Sequence, residues 1–392
     1  KQALRERLDG LNDELDRYLA QEYGVDVDLP MDLELWRQSH KPFHWFVEFY
    51  GILKQGGFDV IIGNPPYVEL GAVREYQLLS YACEKSGNLY ALVIERCFGL
   101  CSQGGKQGFI VPVSSVSTSR YESLQNLLTE NQLYYSSFDD RPSRLFTGLE
   151  HARLTVHLIG QCTGAPPRFS TRYNKWFAVE RPILFQSLRY ANAEDSLVEK
   201  SLPKLSSDLE QGIMRKLSAQ KRRLGLFYTR GSEYSVFYSR KVGYFLQVLD
   251  FVPRVRDGQG KPRPPSEFKT LSFGNNSHAK AALCCLNSSL FYWFVTVFSD
   301  CRHVNRREVN NFPVDLDGLT KGDQGARLTK LAEKLMADLR TNSEDRVMRF
   351  GHDTLTIQVI IPKSSKPIID EIDRVLAQHY GFTDEELDFI IN

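Results

Sequence analysis

The sequence contains no uninterrupted apolar run near the ~18 residues that a membrane-spanning helix requires, and no pattern of a secretory signal. Membrane insertion and export are therefore not expected. It has no Cys-x-x-Cys pair. Its cysteines, Cys83, Cys97, Cys101, Cys162, Cys284, Cys285 and Cys301, are odd in number, and no Cys/His spacing suits zinc. Reduced thiols in a cytoplasmic protein, with no metal site, are the expectation. Nor is there an excess of either charge: 49 Lys and Arg face 48 Asp and Glu, so general stickiness toward polyanions is not expected. The composition also lacks the bias of a disordered chain, a collagen or a coiled-coil rod. The chain opens on Lys1 rather than Met, so a processed product or a piece of a longer protein is expected.

What is present is 392 residues of ordinary globular composition, enough for two or three domains. The charge is unevenly placed. Residues 1–40 hold five basic and ten acidic side chains, whereas residues 204–269 hold fourteen basic and six acidic. The second stretch is either a local surface for a polyanion or a solvated face.

Leu4, Leu8, Leu11, Leu15 and Leu19 recur at helical spacing, and Gly24 is a plausible helix stop. Phe58 to Ile62 reads as a short buried strand, and Gly63-Asn64-Pro65-Pro66-Tyr67 follows without a break. Two successive prolines end any strand, so the tetrapeptide Asn64–Tyr67 is a loop at the strand's carboxyl end. Leu89–Cys101 reads as a helix, 103–106 as a turn, Gly108–Val113 as a strand, Tyr121–Glu130 as a helix, and Leu133–Tyr135 and Leu154–Ile159 as strands. Such alternation indicates an α/β layer with a largely parallel sheet, in which ligands sit outside the carboxyl ends of the strands. The pattern changes after Gly160, with a boundary at 164–167. Arg254–Pro265 reads as an exposed loop, Ala281–Phe298 as one apolar core helix, and 326–341 and 367–379 as closing helices.

The loop Asn64-Pro65-Pro66-Tyr67 carries the chemistry. An exocyclic amine on a purine is a poor nucleophile because its lone pair is delocalised into the ring. Two acceptors aimed at its N–H groups localise that pair. The Asn64 side-chain oxygen and the Pro65 carbonyl, held by the rigid Pro-Pro unit, can provide them. Tyr67 can stack on the base, and no strong base is needed. The scattered His151, His157, His278 and His303 have no acidic partner at useful sequence spacing and read as satisfied or exposed.

The run Phe58-Asp59-Val60-Ile61-Ile62-Gly63-Asn64-Pro65-Pro66-Tyr67-Val68 resembles the catalytic motif of the DNA adenine-N6 methyltransferases. Gly87-Asn88-Leu89-Tyr90-Ala91, Gly104–Pro112 and Arg144-Leu145-Phe146 followed by the strand at 154–159 resemble the family's next blocks in order, so the likeness covers roughly residues 40–160. Residues 282–294, Arg306, Arg307 and 311–314 are similar, more loosely, to the target-recognition domain of large fused restriction–modification (type IIG-like) methyltransferases. The resemblance implies a partial Rossmann-like methyltransferase sheet followed by a mixed α+β target-recognition domain. It implies a helical insertion or linker at 1–57, the catalytic half at 58–164 and the DNA-binding domain with C-terminal helices at 165–392. It implies transfer of a methyl group from S-adenosylmethionine to a flipped adenine in double-stranded DNA. Asn64, Pro65, Pro66 and Tyr67 would be catalytic, Phe146 would stack on the base, and Asn64 and Asn88 would reach the cofactor. Lys221, Arg222, Arg223, Arg254, Arg256, Arg306 and Arg307 would face DNA.

One element of the family pattern is missing. A glycine-rich Phe-x-Gly-x-Gly motif that binds the cofactor precedes the Asn-Pro-Pro-Tyr loop in these enzymes, and no Gly-x-Gly occurs here before residue 64. The cofactor-binding half is then expected upstream in the same chain or in another one. No nuclease signature of the Pro-Asp…Glu-x-Lys kind is present, so a cutting domain would precede Lys1. Two other readings stay open: a DNA-binding or specificity module without activity, and a protein-glutamine methyltransferase using the same loop geometry.

Overall fold

The computed structural model describes residues 2–73, 76–78, 80–162, 166–243, 245–351 and 353–392. The expected boundary at 164–167 falls partly on residues outside these. A six-stranded sheet runs in the order β1-β2-β4-β3-β5-β6, from β1 (Phe58–Gly63), β2 (Cys101–Pro112), β3 (Gln132–Phe138), β4 (Leu154–Gly160), β5 (Arg168–Asn174) and β6 (Ala191–Asn192). β1 pairs with β2 in parallel, β2 with β4 antiparallel and β5 with β6 antiparallel. The architecture is α/β, but the sheet is mixed rather than largely parallel.

The chain divides into two compact units. The first is Lys1–Ser115, Arg120–Tyr135 and Leu154–Arg168; the second is Val116–Ser119, Ser136–Arg153 and Phe169–Asn392. In the first, the leucine-spaced helix Gln2–Glu22 is followed by the helix Pro30–His40, and Ala20, Leu33 and Trp36 close a small core between them. Asp16 accepts from Arg37 at 2.7 Å and contacts His44 Nε2 at 2.8 Å. The turn into β1 requires glycine at position 57: its φ is +116°, and a Cβ there would lie 2.5 Å from the Leu100 carbonyl oxygen.

β1 is an edge strand and not the buried strand that its apolar run suggests. Val60 is 57% and Ile62 81% exposed. β2 begins at Cys101, so the expected turn at 103–106 is instead an irregularity inside the strand: Phe58 aligns with Cys101 but Val60 with Lys106, with Gly104 at φ +79°. From Gly105 its residues alternate, with Gln107, Phe109 and Val111 buried, the period expected of a strand with one covered face. The helix Leu89–Leu100 starts where the Asn88 side chain accepts from the Tyr90 N–H, and it buries Tyr90, Ala91, Ile94 and Leu100.

The second unit holds the large core. The apolar stretch expected as one helix is two, Asn276–Asn287 and Ser289–Phe298, broken at Ser288. Ser288 caps the second helix, and the buried Asp373 carboxylate accepts from the Ser289 and Leu290 N–H groups at 3.1 and 3.3 Å. Burial pushes the Asp373 carboxyl up to about 6. These helices pack with Gly322–Thr341 and Lys366–Tyr380 in one cluster with β7 (Tyr234–Ser239), β8 (Val248–Leu249) and β10 (Phe268–Phe273), which form a three-stranded sheet. A separate sheet, β11-β12-β9, joins β9 (Val255–Asp257) to an antiparallel hairpin of β11 (Ser343–Phe350) and β12 (Asp353–Ile360). The hairpin, and the final helix Asp384–Ile391, were not expected from the sequence. Among the described residues, no single helix is long and apolar enough to cross a membrane, and no group of His, Cys, Asp and Glu is arranged to hold a metal ion.

Candidate active site

The loop leaves β1 at Gly63. Asn64 and Pro66 are exposed, Pro65 is buried and Tyr67 is half-buried. Tyr67 turns its hydroxyl back under the loop, 2.7 Å from Asn64 Oδ1 and 2.8 Å from the Ile110 carbonyl oxygen on β2. Both neighbours are acceptors and the phenol has one proton, so it donates to one at a time. Either bond fixes the loop: one sets which way the Asn64 amide faces, and the other ties the loop to the neighbouring strand. Burial pushes the phenol up to about 12, so Tyr67 is a neutral donor at physiological pH and not a base.

The Tyr67 ring meets Tyr90 edge-on at 6.2 Å, and Tyr90 stacks on Tyr121 at 5.2 Å. Beyond the loop, the Val68 carbonyl accepts from the Leu89 N–H, and the Leu70 N–H donates to the Gly87 carbonyl, both at 2.9 Å. Glu69 is held by Arg120, which keeps its carboxyl below the usual range. Gly87 has φ +65°, and a Cβ there would meet the Arg120 guanidinium, so the glycine before Asn88 is what lets that ion pair close.

With the Tyr67 hydroxyl on one lone pair of Oδ1, the exposed side of the Asn64 amide keeps a second. Among the described residues, no donor reaches the Pro65 carbonyl. Two acceptors one residue apart, at the carboxyl end of an outer strand, are what an N–H₂ group needs.

The other expected residues are placed differently. Asn88 is buried; its Oδ1 caps the helix and its Nδ2 donates to Glu69 Oε1 at 3.3 Å, so the structure engages it locally rather than toward a cofactor. Phe146 is half-buried and belongs to the second unit, while Asn64 and Tyr67 belong to the first. Of the basic residues, Lys221 and Arg256 are exposed without an ion pair among the described residues. Arg222 pairs with Asp315 at 3.0 Å and with Asp317, and lies over the Phe227 ring at 4.3 Å. Arg223 turns back on the Gln220 and Arg222 carbonyls. Arg254 pairs with Asp345 at 3.2 Å, and Arg306 donates to the Thr270 carbonyl at 3.0 Å. Arg307 is an internal strut: it donates to Glu308 at 2.8 Å, to the Lys200 carbonyl at 3.2 Å and to the Ser117 carbonyl.

Two of the four scattered histidines do find acids through the fold, His278 with Asp317 at 3.0 Å and His151 with Asp140 at 3.8 Å. His157 is fully buried, with Nε2 3.0 Å from the Ser115 hydroxyl, and burial pushes it down to about 3. The support residues that sequence reasoning missed are Ile110, Tyr121 and Arg120. Only the strand pattern around Ile110 hinted at any of them.

Residues 9–146 match the family model described as Eco57I restriction-modification methylase, a segment that includes Asn64–Tyr67 and ends at Phe146. A protein of Methanocaldococcus jannaschii described as a type II restriction enzyme and methyltransferase is 37% identical over 103 residues, which is 25% of this chain and 9% of that protein. The matched stretch is thus under a tenth of that relative's length. Among solved structures, the chain is similar to the type IIL restriction–modification enzyme MmeI in complex with DNA (TM-score 0.46, 10% identity, 85% of this chain and 56% of the other). It is also similar to a nuclease-deletion mutant of the type ISP enzyme LlaGI with a DNA substrate mimic (TM-score 0.40, 9% identity, 79% and 47%).

Proposed function

We propose that this chain carries the amine-holding half and the DNA-binding region of a site-specific DNA methyltransferase that acts on adenine N6 in a restriction–modification or phage-defence system. The observation that carries the reading is the Tyr67 hydroxyl 2.7 Å from Asn64 Oδ1, which fixes the orientation of the amide in the loop. The family match over this segment supports the methylase class.

In this reading an adenine leaves the duplex and presents its exocyclic amine to the loop. Asn64 Oδ1 and the Pro65 carbonyl each accept one N–H, drawing the nitrogen toward tetrahedral geometry and localising its lone pair for attack. The ring of Tyr67 gives the extruded base an aromatic surface; such stacking is worth roughly 1–3 kcal/mol per base. No residue here needs to act as a base before transfer, since the proton leaves after the new N–C bond has formed and the nitrogen has become acidic. Lys221 and Arg256 meet phosphates.

S-adenosylmethionine would supply the methyl group. The residues present do not fit the methionine end of that cofactor: no Gly-x-Gly precedes Asn64, and Asn88 is engaged in its helix cap. The cofactor cradle therefore belongs to a second body, upstream in a longer chain or in another chain. β1 is a suitable place for it to pair, because an edge strand offers unpaired backbone groups and here also exposes Val60 and Ile62.

The test is tritiated methyl transfer to duplex DNA, with the chain assembled with its cofactor-binding half. Asn64→Ala should lower kcat by on the order of 10²-fold or more, as loss of one preorganised group at a reacting centre does. DNA affinity should stay within about twofold. Unchanged turnover would refute the role given to Asn64. Binding of DNA without transfer, in wild type and variant alike, would leave a recognition module without activity.

A further inference from the structure

Apart from Ile360 at the base of β12, the β11–β12 hairpin has no part in the large core. All of β11 except its first residue is exposed, and in β12 only Gln358 and Ile360, at its base, are buried. β9 pairs with Leu355–Ile357 only, so beyond it Arg349 and Phe350 pair with Thr354 and Asp353 as a two-stranded ribbon. Residues 261–263 return beside β9, through the Asp257 N–H to the Lys261 carbonyl at 2.9 Å and the Arg263 N–H to the Val255 carbonyl at 2.8 Å.

The register sorts the side chains onto two faces. Arg256 stands opposite Thr356, which stands opposite Val347; one step along, Thr354 stands opposite Arg349. Residues opposite one another, and those two apart along a strand, share a face. Arg254, Arg256, Thr354, Thr356, Gln358 and Arg349 therefore lie on one side, together with Asp345 and Val347. The other side carries Val255, Leu355, Ile357, Met348 and Phe350, with Asp257, Arg346 and Asp353 among them. Three cations of this sheet have acidic partners: Arg254 with Asp345, Arg263 with Asp353, and Arg346 with Glu344. Arg256, Lys261 and Arg349 are exposed and have no ion pair among the described residues.

We infer that this ribbon is the element that reads duplex DNA. Arg349 and Thr354 near its tip meet base edges in the major groove, and Arg256 and Lys261 meet the flanking phosphates. The inference rests on the DNA-methyltransferase reading and deepens it. The major groove admits a two-stranded ribbon; the strands of the hairpin stand roughly 4.8 Å apart, and the Arg349–Thr354 end extends roughly 7 Å beyond β9. Exposed cations without acidic partners are what phosphates complement, and an arginine beside a threonine hydroxyl supplies donors and an acceptor toward bases.

The experiment uses the full chain with a pool of random-sequence duplexes, recording affinity against salt and the sequences selected. Arg256→Ala with Lys261→Ala should weaken binding about tenfold and flatten the log–log salt slope by about two contacts at roughly −0.9 each. Arg349→Ala should leave that slope nearly unchanged but relax the selected sequence at one position. Lys334→Ala, exposed on the helix Gly322–Thr341, controls for lost charge and should match wild type, and thermal melts confirm that the variants fold. If wild type binds DNA but both ribbon variants keep its affinity, slope and selected sequence, the ribbon is not the reading element, although the proposed function stands. If the variants bind DNA normally but no longer assemble with the cofactor-binding half, the ribbon is a protein contact and the inference fails. If wild type binds no duplex at any salt, the reading of the second unit as a DNA-binding region fails with it.

Discussion

Replacing Tyr67 by Phe removes one oxygen and keeps the ring, so it separates the two jobs given to this residue. The lost hydroxyl is half-buried and has acceptors at 2.7 and 2.8 Å. Its net contribution to stability should be about 0.5–1.5 kcal/mol, the ordinary value for such a bond. The larger effect is on transfer. Without the hydroxyl the Asn64 amide is free to rotate, and in half of its orientations an N–H₂ group faces the substrate amine, donor against donor. Halving the competent population alone costs only twofold. Loss of preorganisation around the remaining acceptor should bring the decrease in kcat to about tenfold, or ~1.4 kcal/mol. The assay is single-turnover methyl transfer in the assembled enzyme, alongside the Kd for duplex DNA and the melting temperature. Tyr67→Phe should lower the transfer rate with Kd nearly constant, because the ring still stacks. Tyr67→Ala should lower the rate further and also weaken retention of the flipped base. Wild-type rates for Tyr67→Phe would refute the idea that the hydroxyl sets Asn64; equal losses for Phe and Ala would refute stacking.

The remaining expectations concern the edge strand and the buried charges. Ile62→Lys should change the stability of the chain by less than ~0.5 kcal/mol, since the side chain is 81% exposed, yet abolish assembly with the cofactor-binding half, as measured by co-purification and methyl transfer. Arg307→Ala should destabilise the second unit by about 3–5 kcal/mol in denaturant titration, because it leaves Glu308 fully buried without its cation. A phosphate-only role for Arg307 would instead leave stability unchanged and weaken DNA binding. His157→Gln should flatten the acid limb of stability. The folded-state histidine titrates at about 3 against about 6.5 unfolded, so between those values the unfolded state binds the extra proton. Wild type should therefore lose roughly 1.4 kcal/mol per pH unit, relative to the variant, as pH falls through that window. Parallel stability curves for the two proteins would contradict a neutral buried imidazole.

The features legible in the sequence were those whose cause is local. Two prolines shortly after a run with Phe58, Val60, Ile61 and Ile62 end a strand in any context, so the loop at Asn64–Tyr67 and its place at a strand's carboxyl end followed from the chain alone. The leucine spacing of residues 4–19 and the helices expected over 326–341 and 367–379 are likewise short-range effects. Even the acceptor pair was readable, because Asn64 and Pro65 are adjacent.

What only the tertiary structure decided depends on residues far apart in the chain. An apolar run such as Phe58–Ile62 states that a strand would be stable, not that a neighbour covers it; β1 is an edge because none of the described residues pairs with its outer side. The break at Ser288 is held by Asp373, 84 positions away from the N–H it accepts at Ser289. Arg222 and Arg307 were expected to face DNA from the resemblance, but they meet Asp315 and the Ser117 carbonyl, 93 and 190 positions off. The β11–β12 hairpin escaped notice because Ser343–Phe350 lacks apolar alternation, and its pairing is made by the partner strand rather than by its own pattern. The Tyr67 hydroxyl follows the same rule: the aromatic is written into the loop, but its direction is chosen by a backbone carbonyl 43 residues on, which exists only once β1 and β2 lie side by side.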